Sequence, residues 1–303
     1  MNCNKCKNGA VFFRKYSGEG LCSSCFSDSI VRKTEKTILK HNMIQENDIV
    51  GVAVSGGKDS LSLLHVLKKL SESRNFRIIA ITVDEGIPNY RDEALEIVRN
   101  FCNNLGVEYR SYAYKELFDL TLDESLNLRE NEKITSCSIC GILRRRAIDF
   151  GASDLDVDVI ATGHNLDDVL QTFVINVLSG DTNRIGWMEP IKPNEIRKIK
   201  PFCEIYENEI AFYAFTNELP FQSEQCPHMN EGIRTEIREF LNSLENRHSG
   251  IKNSMYSSIM RLAQTVKNSN YKQWRACQKC GNQCTGDVCS VCTILVKLKQ
   301  EQS

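Results

Sequence analysis

The central part of the chain alternates short apolar runs with longer amphipathic segments. Apolar runs predict four buried strands, at residues 49–54, 76–83, about 107–112 and 157–161. Apolar positions at helical spacing predict helices between them, at residues 59–71, 91–105, about 138–150 and 166–178. Repeated strand–helix units with apolar strands are typical of a parallel sheet covered by helices on both faces. The pattern therefore predicts an α/β fold.

Helical patterns flank this alternation. A helix is predicted from about 30 to 48, with Asp28 or Ser29 as its N-cap. Further helices are predicted near residues 207–217, 231–245 and 251–268. We predict three units, which are an N-terminal segment over 1–29, a central domain over 30–270 and a C-terminal segment over 271–303.

The first predicted strand leads into the run Ser55-Gly56-Gly57-Lys58-Asp59-Ser60, and a predicted helix follows. A strand, a glycine turn and a helix N-terminus together direct several backbone N–H groups at one anion. The run therefore predicts a phosphate-binding loop, with Lys58 as a point charge for phosphate. It is not a Walker A loop, which needs four residues between its first glycine and the Gly-Lys pair. The alternative is a turn in which Asp59 and Ser60 only cap the helix.

Two more polar segments follow predicted strands, at residues 83–86 and 162–168. Ligands bind at the carboxyl ends of the strands in such sheets, so the three segments predict one shared site. Carboxylates beside a triphosphate require a divalent cation, and Asp59, Asp167 and Asp168 therefore predict Mg²⁺ with the nucleotide. Asp59 or Asp168 could also orient or deprotonate a substrate. For Asp167 and Asp168 the alternative is helix capping.

Composition and charge restrict the partners and the cellular compartment that can be expected for this chain. The net charge is −1, so no overall basic field indicates a nucleic-acid partner. The chain contains no apolar stretch near the ~20 residues of a membrane span, and its first residues carry no apolar signal region. A cytoplasmic protein with no membrane association is expected. Fourteen cysteines in such a protein favour metal sites over disulfides.

Eight of the cysteines form two groups of matched spacing near the ends of the chain. Each group consists of two Cys-x2-Cys pairs, separated by fifteen residues in the first group and by eight in the second. Two such pairs can hold Zn²⁺ tetrahedrally and close its coordination sphere, so two structural zinc ribbons are predicted. The alternatives are iron sites or disulfides. The predicted ligands are Cys3, Cys6, Cys22 and Cys25 for the first zinc, and Cys277, Cys280, Cys289 and Cys292 for the second.

A third group is incomplete. Cys137 and Cys140 form a lone Cys-x2-Cys, and Cys226 precedes Pro227 and His228. Three thiolates on a [4Fe–4S] cluster would leave one iron open, unlike ferredoxin-type ligation by four. A redox pair, or a zinc site with His228 as fourth ligand, are the alternatives. Arg144 lies four residues after Cys140, on the same helix face, from which it could reach a phosphate; a solvated side chain is its alternative.

The order of these motifs along the chain is specific enough to indicate a family. The Ser-Gly-Gly-x-Asp-Ser run resembles the pyrophosphate loop of the PP-loop ATP pyrophosphatases, and the whole chain resembles the TtuA-type tRNA 2-thiolation enzymes, relatives of TtcA and the wobble-uridine thiolases. The resemblance includes both four-cysteine groups, the loop, Cys137-Ser138-Ile139-Cys140-Gly141, residues 161–168, and Cys226-Pro227. It implies a parallel-sheet PP-loop domain, of the adenine nucleotide alpha hydrolase type, flanked by two small zinc ribbons.

The resemblance also implies a set of site residues. Cys137, Cys140 and Cys226 would hold a [4Fe–4S] cluster with one open iron. Asp59, Asp168 and Arg144 would be catalytic, although arginine cannot act as a proton donor or base where some members carry lysine. The implied nucleotide pocket consists of Ala53, Ser55, Gly56, Gly57, Lys58, Asp59, Ser60, Val83, Arg144, Gly163 and His164.

The implied activity is ATP-dependent adenylation of a uridine O2 in tRNA, followed by sulfur transfer from the cluster to give 2-thiouridine at position 54 or 34. The implied partners are tRNA, ATP with Mg²⁺, and a sulfur source, either free sulfide or a thiocarboxylated ubiquitin-like carrier protein, with the enzyme as a homodimer. Two other classes of function are open from the residues. One is PP-loop chemistry on a small molecule, such as amide formation or NAD-type synthesis, and the other is a non-enzymatic zinc-ribbon module that binds RNA.

Overall fold

The structure is a computed structural model that describes residues 1–129, 135–192, 196–228, 233–269 and 275–300. The N-terminal part consists of a hairpin and a long helix, which are β1 (Phe12–Arg14), β2 (Glu19–Leu21) and α1 (Ser23–Lys40). The first half of the central part contains β3 (Ile49–Ala53), α2 (Lys58–Ser73), β4 (Arg77–Asp84), α3 (Tyr90–Leu105), β5 (Glu108–Ala113), α4 (Tyr114–Phe118), α5 (Leu122–Asn127) and α6 (Ser136–Asp154).

The second half continues with β6 (Val159–Thr162), α7 (Leu166–Leu178), a 3₁₀ turn (Thr182–Trp187), β7 (Ile191–Lys192), β8 (Arg197–Ile199), α8 (Glu207–Thr216), α9 (Arg234–Arg247) and α10 (Ile251–Ser269). The C-terminal part contains β9 (Arg275–Ala276), β10 (Gln283–Cys284) and α11 (Ser290–Gln300). No helix in these described ranges is long and apolar enough to span a bilayer.

The central sheet has the strand order β5-β4-β3-β6-β8-β7. The first five strands run parallel, and only β7 pairs antiparallel to its neighbour. The predicted α/β class and parallel sheet are therefore confirmed. The chain passes from β3 to β4 and β5 on one side and then crosses to β6 on the other side of β3, so a crevice forms beyond the carboxyl end of β3. The predicted phosphate loop lies at that end.

The predicted helix over 30–48 is wrong in its bounds. Helix α1 begins at Ser23, directly after Cys22, and it ends at Lys40. The cysteine hairpin fixes the chain direction at Cys22, so the helix starts seven residues before the predicted start. After Lys40 the backbone turns, with Asn42 at φ 49°, and the following residues are not helical. Helix α1 thus runs across the boundary predicted at residue 29.

Other helix and strand bounds agree with the prediction to within a few residues. The predicted helix over 231–245 is seen from Arg234 to Arg247, and residues 231 and 232 lie outside the described part. Strands β7 and β8 were not predicted, because two- and three-residue strands that carry lysine and arginine give no apolar run.

The core lies on both faces of the sheet. Val50 and Val52 of β3 and Leu61 and Leu64 of α2 are fully buried. A second apolar cluster surrounds α6 and includes residues of the C-terminal part, such as Ile294. The N-terminal hairpin packs on α8 through three aromatic rings, with centroid distances between 4.5 and 4.9 Å for Phe12, Phe26 and Phe212. Helices α6 and α8 therefore anchor the two ends of the chain to the central domain.

Candidate functional site

The loop between β3 and α2 has the shape of an anion cradle. Gly57 is the N-cap of α2, and no side chain caps that helix. Gly56 has a φ of 92°, and a Cβ there would lie 2.9 Å from the Cβ of Ala94, so only glycine fits. The Ser60 hydroxyl accepts a hydrogen bond from Ser55 N at 3.1 Å and donates to Gly57 O at 2.9 Å. The loop is thus closed on itself, and the first-turn N–H groups of α2 remain for a ligand.

A cavity of about 290 Å³ opens beside this loop. The three strand-end segments singled out from the sequence all contribute to its wall, together with α6. Its lining residues are Ala53, Val54, Ser55, Gly57, Asp59, Ser60, Ile81, Val83, Glu85, Arg91, Arg144, Ile148, Thr162, Gly163, His164 and Asp168. The juxtaposition expected from the strand ends is therefore present in the fold.

Two of the predicted pocket residues do not line the cavity. Gly56 makes the turn, and its carbonyl accepts from the backbone N–H of Gln222 at 3.0 Å. The Lys58 ammonium lies 2.9 Å from Asp59 Oδ2 and 2.9 Å from Glu207 Oε1. Lys58 is thus held by two carboxylates, and the sequence alone did not indicate its pairing with Glu207.

Gly163 brings the segment after β6 against the loop. A Cβ at this position would lie 3.0 Å from the carbonyl carbon of Asp59 and 3.0 Å from Ser60 N. Because those atoms are backbone, they cannot move aside easily. Glycine is required here for a close approach of two backbones, and this contact fixes the width of the cavity floor.

Asp59 and Asp168 form a close acidic pair at the cavity. Burial raises the pKa of Asp59, although Lys58 opposes this. Burial also raises the pKa of Asp168 to about 6, and the charge of Asp59 adds to that effect. Asp168 Oδ2 accepts from Asn165 N at 3.1 Å, so Asp168 caps α7 as well as lining the cavity. Two neighbouring carboxylates of like charge are the donor set that Mg²⁺ takes beside phosphates.

Asp167 has a different role. Its side chain is buried, forms an ion pair with Lys252 of α10, and accepts from Glu207 N at 2.8 Å. It therefore fastens α7 to α8 and α10 and does not face the cavity. Of the two neighbouring aspartates, the structure brings only Asp168 to the candidate site.

Arg144 connects the cavity to the third cysteine group. It lines the cavity, and its Nη2 donates to Cys140 Sγ at 3.3 Å. Its Nε donates to Glu85 Oε1 at 2.7 Å. The expectation that Arg144 and Cys140 share a helix face holds, and the arginine is engaged on both sides; the alternative of a wholly solvated side chain does not hold.

The first turns of α6 carry Cys137 and Cys140, and the segment that contains Cys226 packs beside them. Cys137 is exposed and Cys140 is buried, with the Tyr114 hydroxyl 3.8 Å from its sulfur. The segment that carries Cys226 docks there, since the carbonyl of His228 accepts from Ser136 Oγ at 3.0 Å and from the Cys137 thiol at 3.8 Å. Burial raises the pKa of the Cys226 thiol, and the charge of Cys137 raises it further while Arg144 lowers it.

The geometry of this group differs from that of a single-ion site. In the described ranges, the cysteine sets whose sulfurs all lie within 4.8 Å of one another are the two four-cysteine groups, and this trio is not among them. The three sulfurs therefore do not converge on one point as the ligands of a single ion do. Nε2 of His228 lies 2.8 Å from Asp123 Oδ1.

The two four-cysteine groups each converge on one point, as predicted for zinc. The sulfurs of Cys6 and Cys22 are 3.6 Å apart, and those of Cys280 and Cys289 are 3.7 Å apart. Such crowding of thiols is favourable only with a cation between them. In the second group Cys284 stands outside, with its thiol donating to Gly286 O at 2.9 Å. Cys102 and Cys203 are buried in the core, as expected of cysteines that fit no ligand pattern.

Among the charged residues of the site, Arg91 was not predicted, and Glu85 was included only as part of the segment 83–86. Arg91 is buried on α3 and donates to Ser55 O at 2.5 Å, to Val83 O at 2.7 Å and to Thr82 Oγ1 at 2.7 Å. It also pairs with Glu85 Oε2 at 2.9 Å. For Glu85 the signal was its place just after the end of a predicted strand, where ligands bind in such sheets. For Arg91 the sequence gave no signal, because it is a single arginine on a predicted helix.

Comparison with known proteins agrees with these features. The family model described as the PP-loop domain matches residues 27–245. Cytoplasmic tRNA 2-thiolation protein 1 of Drosophila sechellia is 35% identical over 98% of this chain and 88% of its own length. A probable sulfurtransferase of Methanocaldococcus jannaschii is 34% identical over 99% of this chain and 89% of its own length.

A solved structure extends the comparison to the fold. The U34-tRNA thiolase NcsA from Methanococcus maripaludis, solved with its [4Fe-4S] cluster, has a TM-score of 0.85 and 31% identity. The match covers 97% of this chain and 95% of that one. The expected fold and family are confirmed. The chain belongs to the PP-loop family of tRNA 2-thiolation proteins.

Proposed function

We propose that the protein is a tRNA uridine 2-sulfurtransferase that uses ATP to activate a uracil oxygen and replaces that oxygen with sulfur. One observation supports this above the others. Arg144 lines the cavity that contains Asp59 and also lies 3.3 Å from Cys140 Sγ, so the nucleotide pocket and the three-cysteine site adjoin. Hydrolysis or amide formation on a small molecule needs no three-cysteine site beside the nucleotide pocket. A non-enzymatic RNA-binding module needs neither the nucleotide pocket nor the three-cysteine site.

The binding step follows from the loop. The first-turn N–H groups of α2 would hold the β- and γ-phosphates of ATP, with the helix dipole favouring their charge. Asp59 and Asp168 would hold Mg²⁺ against the phosphates. Arg144 would bind the α-phosphate through its guanidinium, which stays charged and can contact two oxygens. The adenosine would then lie along the apolar wall formed by Ile81, Val83 and Ile148.

Adenylation converts a poor leaving group into a good one. The uracil O2 attacks the α-phosphorus and pyrophosphate leaves, so the base carries AMP on O2. Arg144 and the helix N-terminus neutralise charge that develops on the α-phosphate oxygens in the transition state. The uridine must leave its stack to reach this cavity. Nucleophilic sulfur then attacks C2, and AMP departs with the oxygen.

The sulfur step assigns a role to the cysteine trio. Cys137, Cys140 and Cys226 would hold a [4Fe–4S] cluster, which when bound supplies an iron without a protein ligand as a Lewis acid for sulfide. Cys140 is buried and Cys137 exposed, so the trio extends from the core to the surface, where sulfur can enter. The two zinc sites would be structural, since four thiolates close each coordination sphere.

The target and partners follow from the relatives and remain proposals. Uridine 34 is the proposed position, because the NcsA structure that superposes over nearly the whole chain is named a U34-tRNA thiolase. Position 54 is the other outcome of nucleoside mapping. Either free sulfide or a thiocarboxylated carrier would donate the sulfur, and a homodimer is the proposed assembly. Binding to tRNA should weaken steeply with salt, because phosphate contacts dominate such affinity.

The test is an anaerobic assay with reconstituted protein, tRNA, Mg-ATP and sulfide. Mass spectrometry of the digested tRNA should find 2-thiouridine, and chromatography should find AMP formed in proportion. Asp59→Ala should form neither, and Cys226→Ala should form no 2-thiouridine. Exposed Glu96 offers a matched control, and Glu96→Gln should behave as the wild type. AMP formation that needs a small-molecule acceptor and not tRNA would contradict the proposal.

A further inference from the structure

Glu85 is a buried carboxylate that binds two arginines from different helices. Its side chain is 3% exposed and lies directly after β4. Oε2 lies 2.9 Å from Arg91 Nε of α3, and Oε1 lies 2.7 Å from Arg144 Nε of α6. Each carboxylate oxygen thus serves one guanidinium, and neither arginine can shift without changing the position of Glu85.

The two arginines lead to different sites. Arg91 donates to the carbonyl of Ser55 in the phosphate loop at 2.5 Å and to Val83 O at 2.7 Å. Arg144 donates to Cys140 Sγ at 3.3 Å. A continuous chain of charge-assisted contacts therefore runs from a cysteine of the trio, through Arg144, Glu85 and Arg91, to the backbone of the phosphate loop.

We propose that Glu85 is a positioning residue that couples the nucleotide pocket to the three-cysteine site. The proposal rests on the proposed function, since it requires ATP in the cavity and a cluster on the cysteines. Glu85 acts through Arg144, which it holds by Nε so that one terminal nitrogen faces Cys140 and the other is left for a phosphate. Its link to Arg91 ties that orientation to the loop.

The sign of the coupling follows from the exposure of Arg144. Its side chain is 43% exposed, so water competes for its terminal nitrogens when the contact to Cys140 is weak, although Glu85 holds its Nε. Thiolates that bind a cluster are anionic and strengthen that contact, because hydrogen bonds to charged groups are the stronger ones. Arg144 is then ordered before ATP arrives, and ordering one long side chain in advance tightens binding about two- to tenfold. By linkage, ATP tightens cluster retention by the same factor.

Glu85→Gln tests this coupling with little change of shape. The glutamine carbonyl can still accept from one arginine, but its amide group is a donor and meets the other guanidinium, another donor. Arg91 keeps its three acceptors at Ser55, Thr82 and Val83, so the loop retains most of its support. The link between the two arginines is the element that is lost.

The experiment is anaerobic calorimetry of a non-hydrolysable ATP analogue with Mg²⁺, on cluster-free and on reconstituted protein. For the wild type, cluster loading should tighten the Kd about two- to tenfold. For Glu85→Gln, the cluster-free and the reconstituted protein should bind the analogue with nearly equal Kd values. Iron content and visible absorption should show that the cluster is loaded in the reconstituted variant. Glu96→Gln has the same charge change at an exposed position and should keep the wild-type ratio.

Other results overturn the proposal in distinguishable ways. The ratio that decides is the Kd of the cluster-free protein divided by the Kd of the reconstituted protein. If Glu85→Gln keeps the wild-type ratio, or if Glu96→Gln loses it, Glu85 has no specific part in the coupling. A wild-type ratio of one would show that the sites are uncoupled while the ATP site stands. No analogue binding by the wild type would refute the proposed function itself. If circular dichroism shows that Glu85→Gln is unfolded, Glu85→Asp replaces it, because its shorter side chain keeps the charge but cannot reach both guanidiniums, and the same two ratios decide.

Discussion

Asp168→Asn is expected to make the protein more stable and inactive at the same time. Asp168 lines the cavity next to Asp59, and burial raises its pKa to about 6. A folded pKa above the unfolded one means that the folded state binds the proton more tightly. The ionised carboxylate therefore destabilises the fold at neutral pH, and this penalty shrinks as the pH falls toward the unfolded pKa.

The size of the effect follows from the two pKa values. A rise of the pKa from 3.8 to about 6 corresponds to about 3 kcal/mol at pH 7.5 and to about half of that at pH 5. Water in the cavity screens part of this, and the N-terminus of α7 stabilises the carboxylate by about 0.3–1 kcal/mol. Asparagine keeps an oxygen to accept from Asn165 N. The net gain expected for Asp168→Asn at pH 7.5 is about 1–2 kcal/mol.

Thermal unfolding of the magnesium-free protein measures this gain. The melting temperature of Asp168→Asn should exceed that of the wild type by about 1.5–3 °C at pH 7.5, and by less at pH 5. Formation of AMP with tRNA should fall about a hundredfold or more, because a carboxylate is lost where Mg²⁺ and a general base are expected. Asp167→Asn is the matched contrast. It breaks the buried pair with Lys252 and should cost about 3–5 kcal/mol.

Two results would refute the reasoning. One is an Asp168→Asn protein that is no more stable than the wild type at pH 7.5, which would show that the carboxylate is not penalised by burial. The other is an Asp168→Asn protein that is less stable than the wild type at pH 7.5 and approaches it at pH 5, since this is the behaviour expected if the pKa of the carboxylate were lowered. Full activity in Asp168→Asn would remove the residue from the chemistry.

Three more predictions test separate parts of the site. Cys226→Ala should lose the visible absorption of the cluster while keeping two zinc ions per chain by elemental analysis; loss of zinc would show that the ligands are grouped differently. Gly163→Ala should weaken ATP binding in calorimetry about tenfold or more, because its Cβ would lie 3.0 Å from the backbone of Asp59; unchanged affinity would contradict the close approach. Arg146→Gln should speed zinc loss to a chromogenic chelator from the second four-cysteine group only, because Arg146 donates to two of its sulfurs at 3.4 and 3.5 Å. Arg145→Gln, at the exposed neighbouring position, should not, and equal rates in the two variants would contradict the role of Arg146.

Local patterns predicted much of the fold and the outline of the site. Strand β3 is apolar throughout and β4 is apolar over 78–81, and the glycine loop after β3 requires a backbone that few other residues permit. Cysteine spacing likewise predicts which cysteines share a metal site, because two Cys-x2-Cys pairs can place four thiolates around one ion in only a few ways. These features depend on neighbours in sequence, and a sequence displays them directly.

Contacts between distant elements could not be predicted in the same way. Glu207 neutralises Lys58 across 149 residues, and nothing in either local sequence indicates that pairing. Arg91 resembles any helix arginine until α3 packs against the loop. Helix α1 begins early because the cysteine hairpin sets its start at Cys22, which overrides local propensity. The features that could not be predicted from the sequence are therefore the contacts that form only when distant elements pack together.

The most direct test of the account is an anaerobic crystal structure of the reconstituted protein with a non-hydrolysable ATP analogue. The account predicts that Cys137, Cys140 and Cys226 each bind an iron of one cluster, and that the fourth iron faces the α-phosphate across the cavity lined by Arg144. A cluster whose unliganded iron faces away from the nucleotide, or an analogue bound elsewhere than at Ser55 to Ser60, would contradict it.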